Sequence, residues 1–133
     1  MIAVDTNVLI RYIMDDDAKQ SPLATHLIDT VCSKESPALI CHLVLCETMW
    51  VLRSSYLYGR EHLIPLLKQI LNTENFEIQQ SHLVWQAVYD YEAGNADFSD
   101  YLLAHVNRSL GAGCTYSFDK KALKHKHFKA VEF

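Results

Sequence analysis

An α/β fold with a mostly parallel sheet covered on both faces is what this chain predicts, on three observations. β-rich runs alternate with helix-like runs along the whole length, an order that sets successive strands side by side and parallel. An early strand-like run, Met1 to Val4, and a late one, Cys114 to Phe118, each lead into an acid, Asp5 and Asp119. That is the sheet edge where open α/β folds bind ligands. Half of the 133 residues are hydrophobic, ample for one core and for a single domain over residues 1–133.

The elements follow in order. Met1 to Val4 delivers Asp5, Thr6 and Asn7, and an apolar helical run from Val8 to Met14 is stopped by Asp15, Asp16 and Asp17. Three acids at a helix C-terminus oppose its dipole, so they are expected in a solvated turn. Ser21 and Pro22 start a second helix with Leu23, Leu27, Ile28 and Val31 as its buried face. Pro37 to Cys41 reads as a short strand. Leu43 to Tyr58 is the longest helix candidate, with Leu45, Met49, Leu52 and Tyr56 at helical spacing and Gly59 as its C-terminal cap. Val44, Trp50 and Val51 make its other side apolar too, which leaves a face for another chain.

Leu63 to Leu71 is a further helix whose start Pro65 obscures. Phe76 to Gln79 alternates apolar and polar residues, as an edge strand does. His82 to Glu92 is amphipathic through Leu83, Ala87, Val88 and Tyr91, and Gly94 closes it. Asp97 or Ser99 caps a helix that runs to Leu110 and stops at Gly111. Cys114 to Phe118 is a strand, a short basic helix starts at Lys120, and a last strand lies near Phe128 to Phe133.

Composition narrows the function classes. The longest nearly apolar run, Pro37 to Cys46, is far below the roughly 20 residues that span a bilayer, so no membrane partner is expected. No basic stretch followed by an apolar segment opens the chain, so a cytoplasmic location is expected. Cys32, Cys41, Cys46 and Cys114 show no CxxC pairing and read as buried free thiols. Net charge is −4, unevenly spread: six of twelve basic residues but only two of sixteen acids follow Asn107. That last segment carries +4 and the first 107 residues −8, a distribution suited to holding a polyanion beside an acidic centre.

Four acids stand where solubility alone does not explain them. Asp5 and Asp119 end strands of the apolar, buried kind and are expected to be buried. Glu47 interrupts the apolar run LVLCETMWVL, where an acid is costly to bury unless it is paired, an exposed stripe being the other reading. Asp100 begins an apolar helical run with Asp97 beside it as the capping candidate. Two carboxylates about 5 Å apart repel by roughly 3 kcal/mol at an effective dielectric near 20, so four converging ones need a cation. All-oxygen ligation selects Mg²⁺, with Mn²⁺ as a substitute, over zinc. His125 and His127, set among lysines, are expected to be solvated, with phosphate contact as the second reading.

The segments MIAVDTNVLIRYI, CETMWVLRSSY, ADFSDYLLAHV and TYSFDKKAL, in this order and spacing, resemble the PIN-domain family and, more narrowly, VapC-type toxins of bacterial toxin–antitoxin pairs. The resemblance implies a three-layer α/β/α sandwich with a central sheet of four or five mostly parallel strands. It also implies a metal-dependent endoribonuclease. Carried over by motif, Asp5, Glu47, Asp100 and Asp119 are the catalytic acids, with Asp5, Asp100 and Asp119 holding metal. Thr6, Asp97 and Ser117 support them. Arg108, Lys120, Lys121 and Lys124 are candidates for RNA backbone contacts. Implied partners are RNA, a cognate antitoxin and a second copy of the chain. The competing readings are a nuclease of the same fold outside toxin–antitoxin biology and a non-catalytic module that binds RNA or protein.

Overall fold

Five short strands, all paired in parallel, form two sheets. The computed structural model describes all 133 residues, which divide into two units, Met1–Gln79 and Gln80–Phe133. No helix is long and apolar enough to cross a membrane.

In the first unit β1 (Ile2–Ala3), β2 (Ala38–Ile40) and β3 (Phe76–Ile78) lie in the order β1-β2-β3, with Ala38 opposite both Ile2 and Phe76. Each crossover carries helices, as parallel pairing requires. β3 is an edge strand, as its alternation predicts, with Phe76 and Ile78 buried and Glu77 exposed.

Helix α1 (Thr6–Met14) starts two residues before the apolar run because Asp5 caps it: the backbone is extended there and Asp5 Oδ1 accepts from Val8 N at 3.1 Å. The acidic turn after α1 is more ordered than a solvated one. Asp17 Oδ1 accepts from Lys19 N and Gln20 N at 3.0 and 2.7 Å, bonds that hold its carboxyl below the usual range. Arg11 lies 3.9 Å from both Asp16 and Asp17, and Tyr56 donates to Asp16 at 2.9 Å.

Helix α2 (Gln20–His26) runs on into a π-helical turn, Leu27–Val31. The buried face is Ser21, Ala24, Ile28 and Cys32, whereas Leu23 and Val31 are 71% and 60% exposed. The expected face thus holds at Ile28, with Leu27 half-buried, and fails at Leu23 and Val31. A wider turn carries Val31 off the line that 3.6-residue spacing projects, and small Ser21 and Ala24 take the inward positions.

Helix α3 (His42–Ser54) buries Val44, Leu45, Thr48, Met49 and Leu52 and ends four residues earlier than its apolar pattern implies. Tyr58 N donates to Leu52 O at 3.0 Å, and Leu57 takes the left-handed conformation, φ 59°, that the sequence assigned to a glycine. Gly59 instead opens helix α4 (Arg60–Leu71), where an added Cβ would stand 2.6 Å from the Glu61 carboxylate. Pro65 sits inside α4 on its exposed side, while Leu63, Leu67 and Ile70 are buried.

The second unit pairs α5 (Ser81–Ala93) with α6 (Phe98–Ser109). Gly94 between them leaves room for Tyr101: an added Cβ would run into the Tyr101 hydroxyl, which accepts from Ala96 N at 3.1 Å. Strand β4 (Thr115–Ser117) pairs with β5 (Phe128–Ala130), linked through a 3-10 turn over Ala122–Lys124 rather than a basic helix. Ala122 and Leu123 of that turn pack with Ala104 and Phe128. The four cysteines are free, Cys32 buried and the other three half-buried.

Candidate active site

Asp5 and Asp119 stand in matching positions, each two residues beyond the C-terminal end of a parallel strand. The burial expected of them is absent. Both are exposed, and the strands that deliver them are short and partly exposed. In a two- or three-residue strand the acid is carried past the last ladder bond into the turn, where its carboxylate caps the next element instead of being sealed in.

In the first unit Asp5 stands on the rim of an apolar groove of about 320 Å³ that Val8, Leu23, Ala24 and Leu27 line, with Arg11 and Gln20 hydrogen bonded at 2.7 Å on the same wall. Thr6, the next residue, is buried. Glu47 is on α3 and is exposed, in line with Leu43, Trp50 and Ser54 on the helix's outer stripe. The inference that Glu47 is costly to bury therefore does not apply. Its apolar neighbours Leu43 and Trp50 are themselves 69% exposed.

In the second unit the charges of Asp97 and Asp119 both reach Asp100. Asp97 caps α6 in a reciprocal capping box: its side chain accepts from the Asp100 backbone, and Asp100 Oδ2 accepts from Asp97 N at 3.3 Å. Burial holds the Asp100 carboxyl above the usual carboxylate range. The hydrogen bond from Asp97 N opposes that shift, and the negative charges of Asp97 and Asp119 add to it. Asp119 Oδ1 accepts from Lys121 N and Ala122 N at 2.8 and 3.3 Å, and Ser117 Oγ accepts from Asp119 N at 2.9 Å. Ser117 thus orients the Asp119 turn through the backbone.

Of the basic candidates, Lys120, Lys121 and Lys124 are exposed, and Arg108 Nη1 lies 3.3 Å from His127 Nδ1. His125 and His127 depart from the solvated reading. The His125 side chain is 10% exposed and bonds Asp90, which His105 also bonds. His127 is half-buried; burial, then the charge of Arg108, then the neighbouring histidines and Lys126, hold its pKa below the usual value. Asp90 and His105 were not legible as site residues. They lie 15 positions apart on two helices, and only the α5–α6 packing joins them.

The PIN domain family model matches residues 2–129, across both units. The chain belongs to the PIN domain family, and its six helices and parallel strands are of the α/β class that the sequence predicted. A VapC ribonuclease of Aquifex aeolicus (strain VF5) is 23% identical over 131 residues, covering 98% of this chain and 96% of that protein.

Proposed function

We propose that this protein is a Mg²⁺-dependent endoribonuclease acting as the toxin of a bacterial toxin–antitoxin pair. Asp100 carries the reading. A capped helix start ordinarily keeps a carboxylate easily ionised, yet burial and two like charges work against the charge of Asp100. Clustered oxygen donors with unfavourable mutual repulsion are the donor set a hard divalent cation fits. One family model running through Asp5, Glu47, Asp100 and Asp119, and a relative named as a ribonuclease, support reading these four acids as one catalytic set.

In this reading Asp5, Asp100 and Asp119 hold Mg²⁺, or Mn²⁺ in its place, and Glu47 orients the attacking water. Bound there, the ion supplies Lewis acidity, lowering the pKa of water and neutralising charge on the leaving 3′ oxygen. Asp97 fixes Asp100 through the capping box, Ser117 fixes Asp119, and Thr6 offers a hydroxyl next to Asp5. The exposed Lys120, Lys121 and Lys124, with Arg108, receive the RNA backbone. The outer stripe of α3, with Leu43 and Trp50 exposed, offers an apolar face to a second copy or to an antitoxin, and sedimentation equilibrium reads the dimer directly.

The test is Asp5→Asn, which removes the charge and keeps an oxygen to cap Val8 N. Cleavage of RNA in Mg²⁺ should fall by about 10³-fold, because several kcal/mol of transition-state stabilisation depend on the ion. Cleavage by the variant at the wild-type rate contradicts the proposal.

A further inference from the structure

We propose that Asp90, His105 and His125 form a second cation site, one that takes Zn²⁺ or a similar borderline ion rather than Mg²⁺. Its donors come from three elements of the second unit: Asp90 from α5, His105 from α6, and His125 from the segment between the 3-10 turn and β5. The Nε2 atoms of His105 and His125 lie 2.5 and 2.9 Å from the same oxygen, Asp90 Oδ2, and the three ligand atoms all lie within 4.8 Å of one another. The side chains are largely withdrawn from solvent, 12% and 10% exposed for the histidines and 29% for the acid.

Two imidazole nitrogens and one carboxylate oxygen are the three-ligand set of an open zinc site, whose fourth position is left to water. A hard ion that prefers oxygen has no claim on this set. Room for the fourth ligand and a path for entry exist: a cavity of about 480 Å³ borders Asp90 and His125 and is lined also by Gly94, Asn95, Tyr101 and Lys124.

The two arrangements are geometrically close. Tetrahedral ligands at zinc distances stand about 3.3 Å apart, so each histidine nitrogen needs to part from Asp90 Oδ2 by less than about 1 Å. His125 Nδ1 accepts from His127 N at 3.2 Å, which places the ring proton on Nε2, pointing at Asp90. Ligation through Nε2 would move that proton to Nδ1, where it faces the His127 N–H, so one long hydrogen bond is lost. His127 sets its ring edge-on to both ligand rings, with centroids 5.6 and 5.0 Å away, and limits their rotation.

Occupancy would have a structural consequence. The ion would clamp α5 and α6 to the segment that runs from Asp119 through Ala122–Lys124, the turn that orients Asp119. The inference stands on this cluster alone and does not depend on the nuclease reading.

The experiment titrates the full chain, freed of metal by chelation, with Zn²⁺ against a chromophoric competitor, and repeats it with Co²⁺ for the visible absorption of tetrahedral ligation. One equivalent should bind and raise Tm. His105→Gln, which keeps a donor for Asp90, should weaken Zn²⁺ by more than the roughly 10–100-fold that loss of a ligand's hydrogen-bond partner costs. Asp5→Asn should bind Zn²⁺ as wild type does. No stoichiometric binding, equal binding by His105→Gln, or loss of binding in Asp5→Asn each overturns the proposal. Histidine ring NMR shifts of the wild type read the same site without a variant: His105 and His125 should both move with one equivalent of Zn²⁺, and immobility of both overturns it.

Discussion

Asp100→Asn is expected to separate activity from stability. RNA cleavage in Mg²⁺ should fall by about 10³-fold, while the Tm of the ion-free protein stays equal to wild type or rises by roughly 1–3 °C. Asparagine keeps an oxygen for the hydrogen bond from Asp97 N, so the capping box survives, and it removes the charge that burial and the neighbouring Asp97 and Asp119 disfavour. The gain is small because solvent screens a half-exposed group. Its sign follows from linkage. A carboxyl whose folded-state pKa is raised binds its proton more tightly in the folded state, so wild-type stability falls as pH rises through that pKa. Above it the whole penalty is present, and the variant lacks that slope. A calorimetric pH series on both proteins checks this. A large fall in Tm for Asp100→Asn would show that the ionised carboxylate stabilises the fold and was wrongly read as strained.

Asp119 gives the opposite pairing. Asp119→Asn and Asp119→Ala should both lose cleavage by about 10³-fold, since each removes the charge. Only the alanine variant should lose stability as well, by about 1 kcal/mol, because Oδ1 accepts from Lys121 N and Ala122 N and asparagine preserves that acceptor. Urea unfolding of the two variants reads the difference. Equal stability would mean that the turn after β4 holds without its cap.

The features legible in the sequence are those set by neighbouring residues. Asp97 was legible as a cap of α6, though not its reciprocal bond with Asp100, and the end of a strand at Asp5 just ahead of a helical run was legible, though not the cap that Asp5 provides. The alternation of Phe76 and Ile78 marked an edge strand. What failed depended on partners distant in the chain or on irregular backbone. Leu57, not Gly59, adopts the left-handed turn after α3. The π-helical turn carried Val31 away from the face that regular spacing assigns it. Glu47 looked buried because its neighbours are apolar, yet Leu43 and Trp50 are exposed beside it. His125 looked solvated because lysines flank it, and only folding brings Asp90 and His105 to its ring.

The functional reading rests on the proposal that Asp5 and Asp119 serve the same ion. Mn²⁺ binding followed by electron paramagnetic resonance, with Mg²⁺ as competitor, tests it most directly. Wild type should bind Mn²⁺ in competition with Mg²⁺, and Asp5→Asn and Asp119→Asn, one substitution in each unit, should each weaken that same binding. Unchanged Mn²⁺ affinity in either variant would contradict a shared centre.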